Sequence, residues 1–513
     1  GSYLGKDCVT MITFQHVSFS YDSHRAQTNI PRTASLYDIN FTVNDGECVL
    51  LCGKSGCGKT TLTRLVNGLI PNIYPGKLTG NVLLDGQNLS ELPMYEIASL
   101  VGSVFQNPKT QFFNVDTDSE IAFGVENQAL PREQIAQKVA AAARNLKIEN
   151  LRGRNLFSLS GGEKQKIAFA SVYAMNPMVY LLDEPSSNLD METVDALRTH
   201  LKELKSQGKT ILIVEHRLYY LMDIVDRILV LDEGQITKNY SAKEFLTLTD
   251  KERRMMGLRT TDLRKELPEL IAKKEQENSL ELKNVSLFYR KEPVLRNISA
   301  KFSRGEVIAL VGKNGTGKTT FSRALCGLHQ EIKGDFFRDG KIISTKRRQK
   351  ISYMVMQDVN FQLFAESVEA ECSFGIRNPN SALIAETMDT LDLTPFAAQH
   401  PGTLSGGQKQ RLAVAVGQIC KKELIVFDEP TSGLDYESMT SVAKIIRTLS
   451  EQGKIIFVVT HDYEFLCRTC SRILVFSDGD ISDDLKFRAD NKAQMKQLFF
   501  SAVGINKGGD LFE

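Results

Sequence analysis

GKSGCGKTT at Gly53–Thr61 decides the fold, and the chain carries it twice, since Gly312–Thr320 reads GKNGTGKTT. Both stretches fit the phosphate-loop pattern G-x-x-x-x-G-K-[ST]. Gly53, Gly56 and Gly58 in one copy, and Gly312, Gly315 and Gly317 in the other, let the backbone wrap tightly. Its N–H groups and the N-terminus of the next helix then face an anion. Lys59 and Lys318 are placed to reach β- and γ-phosphates, and Thr60 and Thr319 to offer a hydroxyl to Mg²⁺. Ser55, Thr61, Asn314 and Thr320 fall within the same two binding loops.

Outward from these loops the two halves share one grammar. Continuous apolar runs precede each loop (47–52 and 306–311). More follow at 178–182 and 210–214, with counterparts at 423–427 and 455–459. Continuous rather than alternating runs suit a parallel sheet covered on both faces. Alternation at 12–21 and 280–289 predicts half-buried antiparallel strands, and 131–147 and 381–391 have helical composition. The duplication extends further: LSGGEKQK at 159–166 recurs as LSGGQKQR at 404–411, and LLDEPSSNLD at 181–190 as VFDEPTSGLD at 426–435. The offset between copies shrinks from the phosphate loop to the signature, so the first half carries extra residues between them. The fold class is therefore α/β, in two tandem domains.

The boundary lies between Ile228–Leu231, the last apolar run of the first half, and Leu280. The segment 241–279 holds nine Lys/Arg and eight Asp/Glu, a nearly balanced charge that reads as helix plus linker. The expected domains are 1–10 as a tag or disordered N-terminus, with Gly1-Ser2 a cloning scar and Met11 the native start. The first domain then spans 11–240, the charged helical linker 241–279, the second domain 280–485 and a C-terminal tail 486–513.

With 63 Lys+Arg against 62 Asp+Glu, no dominant nucleic-acid footprint is expected. No run approaches the roughly 18 apolar residues of a membrane helix, so the chain is not expected to form a pore by itself, and no basic-then-apolar start suggests a signal peptide. Nine scattered cysteines suit a reducing compartment. Cys467-Arg468-Thr469-Cys470 lacks the second pair that zinc would need and reads as packing thiols.

Asp183 and Asp428 each end an apolar strand, where an aspartate would hold Mg²⁺ directly or through water. Glu184 and Glu429 follow at once and are placed to polarise an attacking water. His216 and His461 close the next strand of each half and could orient that water against the γ-phosphate.

LSGG at 159–162 and 404–407 is specific, and from about residue 12 to 480 the chain resembles two ATP-binding cassettes in tandem. The resemblance implies that each cassette joins its phosphate-loop core to an antiparallel β-subdomain and a helical signature subdomain. It also implies head-to-tail pairing, with one half's phosphate loop facing the other half's signature. Lys59 would then work with Ser405, Gly406 and Gly407, and Lys318 with Ser160, Gly161 and Gly162. Tyr21 and Tyr289 would stack on adenine, Gln106 and Gln357 would sense Mg²⁺, and Asp190 and Asp435 would lie across the interface. The fifth signature residue differs: Glu163 in one half, Gln408 in the other. A carboxylate there could repel phosphate or point to solvent.

The loops after the two glutamines, VFQNPKTQFFNVDTDSEIAFGVEN (104–127) and VMQDVNFQLFAESVEAECSFGIRN (355–378), are similar to those of energy-coupling factor ATPases. That resemblance implies an ATP-hydrolysing motor of an importer for vitamins or metal ions. It would lie peripherally on the cytoplasmic face of the cell membrane, with a transmembrane coupling subunit and a separate substrate-binding membrane subunit as partners and no nucleic acid. The alternatives are a fused ATPase of another transporter, or a ribosome-associated tandem cassette protein, which typically has a long basic linker and lacks the histidine. Both loops are acidic, with Asp116, Asp118 and Glu120 in one and Glu366, Glu369 and Glu371 in the other. Phe112, Phe113, Phe361 and Phe364 sit beside them. An aromatic floor with an acidic rim suits a partner helix with apolar and arginine anchors, and Asp118 and Glu369 are the expected arginine contacts.

Overall fold

The computed structural model describes residues 12–21, 35–187, 189–269 and 278–505. The expected tag and start at 1–11, the middle of the linker (270–277) and the last residues, 506–513, lie outside the described residues. Contacts divide the chain into two compact units, Gly1–Leu189 with Thr193–Thr261, and Asp190–Glu192 with Asp262–Glu513.

The strands of the first unit are β1 (Ile12–Tyr21), β2 (Leu36–Val43), β3 (Cys48–Gly53), β4 (Gly76–Leu84), β5 (Gln87–Asn88), β6 (Val101–Val104), β7 (Val179–Asp183), β8 (Thr210–Val214), β9 (Arg227–Asp232) and β10 (Gln235–Ser241). They form an antiparallel sheet ordered β2-β1-β4-β5 and a six-stranded sheet ordered β10-β9-β3-β8-β7-β6. In β1 the buried set Ile12 and Phe14 gives way to Val17 and Phe19 across an irregularity in register at residues 14–17. The extra residue there lets both pairs face the core although the alternation is broken. The larger sheet is parallel from β9 to β6, with β10 antiparallel at its edge. Every residue of β3, β7 and β8 is buried, as strands covered on both faces must be.

The second unit repeats the plan. Its strands are β11 (Asn278–Tyr289), β12 (Glu292–Ser303), β13 (Val307–Val311), β14 (Ile332–Arg338), β15 (Lys341–Ile342), β16 (Ser352–Val355), β17 (Leu424–Asp428), β18 (Ile455–Val459), β19 (Arg472–Ser477) and β20 (Asp480–Lys486). The sheets are ordered β12-β11-β14-β15 and β16-β17-β18-β13-β19-β20. In each unit three helices form a small group whose last member also packs against the sheet, at β6 or at β16. Helices Thr117–Glu126, Arg132–Asn145 and Gly161–Met175 pack together in the first, and Val368–Ser373, Ser381–Thr390 and Gly406–Ile419 in the second.

The charged segment after β10 is built of short helices, Ala242–Thr247 and Asp250–Met255, each opened by a capping box, Ser241 with Glu244 and Thr249 with Glu252. Its next stretch packs on the second unit, where Glu266 pairs with Arg468 at 3.4 Å and the Glu269 N–H donates to the Cys467 carbonyl at 2.7 Å. The C-terminal stretch read as a tail carries a helix, Lys492–Ala502. It buries Met495, Phe499 and Phe500 and sets the last two rings 5.0 and 4.9 Å from Tyr463. Cys467 and Cys470 are buried, unbridged thiols.

Candidate nucleotide sites

In each unit the central strand ends in the phosphate loop, and its parallel neighbours end beside it. Leu51 of β3 is in register with Val214 of β8, and Val214 with Asp183 of β7. Chain reversals at the carboxyl ends of parallel strands are where α/β sheets bind ligands, and here they gather Gly53, Asp183-Glu184 and His216. In the second unit β13, β17 and β18 gather Gly312, Asp428-Glu429 and His461 in the same way.

Gly53 has φ 147° and Gly312 φ 146°. A Cβ on Gly53 would stand 2.0 Å from the Leu231 carbonyl oxygen, and on Gly312 2.4 Å from that of Phe476, so the turn requires glycine for both torsion and space. Gly56 and Gly315, in the middle of the two loops, are left-handed at φ 81° and 82° but face open space, so there only the torsion favours glycine. The helices Lys59–Val66 and Lys318–Leu325 start on Gly58 and Gly317, both left-handed and without a side chain to cap the free N–H groups. Lys59 and Lys318 are buried. Their Nζ atoms donate to the Gly53 and Lys54 carbonyls at 2.9 and 2.7 Å, and to the Gly312 and Lys313 carbonyls at 2.6 and 2.7 Å. The ammonium is thus held inside the ring of loop backbone.

Burial pushes the Asp183 carboxyl up to about 7, helped by the neighbouring Glu184, while the Thr60 hydroxyl opposes the shift. Its Oδ1 is buried with no hydrogen-bond partner, an acceptor that a cation would satisfy. Asp428 is pushed by burial to about 6, against the pull of Lys318 and the Thr319 hydroxyl. Glu184 and Glu429 are left-handed at φ 46° and 50°, a torsion that costs a non-glycine residue energy and clusters at functional sites. Gln106 Nε2 donates to Glu184 Oε2 at 2.8 Å, and His216 Nε2 lies 3.4 Å from Glu184 Oε1. His461 Nε2 lies 3.6 Å from Glu429 Oε1. The structure therefore brings glutamine, glutamate and histidine together in the first unit, and glutamate and histidine in the second.

The two tyrosines differ. The Tyr21 hydroxyl lies 3.1 Å from the Thr61 hydroxyl and accepts from Arg64 at 3.1 Å, whereas Tyr289 is exposed, with Arg290 over its ring. Asp435 is buried and caps the helix Tyr436–Glu451 through the Ser438 N–H, and Asp190 immediately precedes the helix Met191–Ser206. Ser160 and Ser405 are N-caps of their signature helices. Glu163 neither stands free nor simply points to solvent. Its Oε2 accepts the Ser160 N–H at 2.8 Å and its Oε1 accepts Arg154 at 2.9 Å. Burial raises its carboxyl, but the Ser160 donors and Arg154 outweigh this and hold it below the usual range. Gln408 Oε1 makes the same contact to the Ser405 N–H at 2.8 Å, so the departure at this position preserves the capping box.

The loops after the glutamines hold residues that the sequence reading missed. The last glutamine of FQNP-x-x-Q, Gln111, accepts the Phe105 N–H and donates to the Ser103 carbonyl, and Gln362 does the same with Met356 and Met354. The recurrence of a glutamine six residues after Phe105 and after Met356 was the available signal. Glu120 and Glu371, read as part of an acidic rim, are instead buried. Glu120 accepts the Phe113 and Asn114 N–H groups at 3.0 and 2.8 Å, and Glu371 those of Phe364 and Ala365 at 2.8 and 2.7 Å. Asp116 caps a helix, and Asp118 forms a bidentate pair with Arg152, both contacts at 3.2 Å. Glu366 and Glu369 are exposed. Phe113 and Phe364 stand 73 % and 69 % exposed on the loops that the buried glutamates brace, with Phe123 stacked on Phe113 at 4.9 Å and Phe374 also exposed.

A glycine loop between strand and helix, joined by an acid pair and a histidine at the ends of neighbouring parallel strands, defines a phosphate-loop nucleoside triphosphatase cassette, here present twice. The chain matches the ABC transporter family over residues 36–187 and 295–432 and belongs to it. It is 46 % identical over 95 % of its length to a Treponema denticola protein, 99 % of which is covered, that carries the provisional name ABC transporter ATP-binding protein. A Methanosarcina mazei protein of the same provisional name is 31 % identical, with 93 % of this chain and 89 % of that one covered. The solved structure of a protein called RNase-L Inhibitor is similar in fold, with a TM-score of 0.64 at 21 % identity, covering 96 % of this chain and 93 % of that one. At that identity the likeness concerns the fold alone. The protein is thus the ATP-binding component of an ABC transporter, an ATPase with two cassettes whose hydrolysis serves transport. Proteins of this kind pair with transmembrane subunits, and among the described residues no helix is long and apolar enough to cross a membrane.

Proposed function

We propose that the chain is the ATP-hydrolysing motor of an energy-coupling factor type importer, peripheral on the cytoplasmic face of the membrane, with a transmembrane coupling subunit and a separate substrate-binding subunit as partners. The observation that supports this best is the paired surface after each glutamine. Two aromatic loops, each braced by a buried glutamate, present Phe113 and Phe364 to solvent. Large exposed aromatics on a firmly held loop mark an interaction site rather than a core. A partner helix with apolar and arginine anchors would rest there, and Glu369 is the freer of the two expected arginine contacts, because Asp118 already holds Arg152.

Each nucleotide would be bound by Lys59 or Lys318 with the loop N–H groups, against Ser405 or Ser160 of the other half's signature, with Tyr21 or Tyr289 on the adenine. Thr60, Asp183 and Gln106 would hold Mg²⁺, with Thr319, Asp428 and Gln357 in the second site. The partnerless Oδ1 of Asp183 fits that role. The ion would neutralise charge on the β- and γ-phosphates. Glu184 and Glu429 would polarise the attacking water, oriented by His216 and His461.

Replacing Phe113 and Phe364 by serine in the full chain tests the docking surface. Membrane subunits that co-purify with the unaltered chain are expected to be lost while ATP binding persists. Undiminished co-purification and transport would contradict it.

A further inference from the structure

The residues flanking the histidine differ between the cassettes, and so does what they hold. β18 runs into Thr460-His461-Asp462. There the Thr431 hydroxyl donates to Asp462 Oδ2 at 2.8 Å, and Asp462 also caps the helix Tyr463–Thr469 by accepting the Phe465 N–H. β8 runs into Glu215-His216-Arg217. Arginine has no acceptor with which to cap a helix, and the segment that follows is a series of turns.

The first cassette uses these two side chains as a brace. Glu215 is 2 % exposed. Its Oε1 accepts the His216 and Arg217 N–H groups at 2.8 and 3.1 Å. Its Oε2 accepts the Ser186 N–H at 3.2 Å and the Tyr220 hydroxyl at 2.8 Å. Arg217, also buried, donates from Nη1 to the Ser186 and Leu189 carbonyls at 3.3 and 3.2 Å. Ser186 is therefore gripped by both its N–H and its carbonyl, two residues after Glu184. The same carboxylate holds the backbone of His216, whose ring faces Glu184. Four donors on one buried carboxylate make a stiff junction, because each bond lost would leave a buried group unpaired.

We propose that Glu215 and Arg217 are positioning residues that fix Glu184 against His216 in the first cassette. The second cassette ties the matching positions by a different link, the Thr431 hydroxyl on Asp462, so substitutions at Glu215 and Arg217 act on the first site. The proposal rests on Glu184 acting on the attacking water. Misplacing a reacting group by about 1 Å can cost on the order of a hundredfold, whereas nucleotide affinity depends on the phosphate loop, which the brace does not touch.

The test is steady-state Mg·ATP hydrolysis by the full chain. Glu215→Gln and Arg217→Ala are each expected to lower kcat to about half or less with KM unchanged, the sign of an interaction made only in the transition state. Arg217→Lys should recover part of the loss, since one ammonium can still reach a carbonyl. In a Glu429→Gln chain the fractional loss should be larger than in a Glu184→Gln chain. If Glu215→Gln loses its cooperative melting transition, the Arg217 pair decides, and if either background is inactive, the otherwise unaltered chain decides. Unchanged kcat, a raised KM with kcat held, or no recovery by lysine would overturn the proposal. Full turnover by a chain lacking both Glu184 and Glu429 carboxylates would instead overturn the reading of those glutamates.

Discussion

Gly53 shows how much a single position can dictate. Its torsion of 147° and the Leu231 carbonyl 2.0 Å from any Cβ leave no room for alanine. Strain of this kind costs on the order of 1–3 kcal/mol before the clash is counted. Gly53→Ala is expected to lower the melting temperature sharply and abolish ATP binding. Gly56→Ala, with φ 81° and nothing within 4 Å of the added carbon, should cost only the torsion and keep the fold; equal melting curves would refute the contrast. These glycines, the lysines and the acid pairs were legible in the sequence because the chemistry of a phosphate loop permits few substitutes. Glu120 and Glu371 were not. A carboxylate near other acids reads as solvated until the fold shows that it bonds two backbone N–H groups of a loop several residues upstream.

Among the elements, the two signature helices show a sequence difference that the structure neutralises. Glu163 and Gln408 each present an oxygen to the N–H of the capping serine. Glu163→Gln keeps that bond and gives up only the half-exposed pair with Arg154. Pairs of this exposure are worth roughly 0–1 kcal/mol, so stability should change by less than that and turnover should hold. A marked change in hydrolysis would mean that the carboxylate does act on phosphate. Ser160→Ala, by contrast, removes an N-cap and should cost about 1 kcal/mol, read from chemical denaturation of the full chain. The strands were legible for a related reason. A run such as TILIV at 210–214 has no polar side to turn outward, so it fits a sheet covered on both faces, and the structure buries every residue of it. The helix Lys492–Ala502 went unread because its apolar residues have no strong one-faced pattern; what fixes it is contact with Tyr463, distant in sequence.

For the whole molecule, duplication is the organising fact, and it is legible in the amino-acid sequence because four motifs recur in order. Repetition of motif is not identity of site. Arg217 grips the Ser186 backbone, whereas at the matching positions Asp462 takes the Thr431 hydroxyl, and only the fold shows what each flanking pair holds. The family resemblance implies that each phosphate loop works with the other half's signature. A separately expressed half should therefore hydrolyse ATP poorly while monomeric, and rapid turnover by such a half, shown monomeric by sedimentation, would count against that pairing. The most direct test of the two-site ATPase itself is steady-state hydrolysis by the full chain carrying both Glu184→Gln and Glu429→Gln, with ATP affinity measured alongside. Loss of a water-polarising group should lower turnover by about 2–4 decades while ATP remains bound; turnover at the unaltered rate would contradict it.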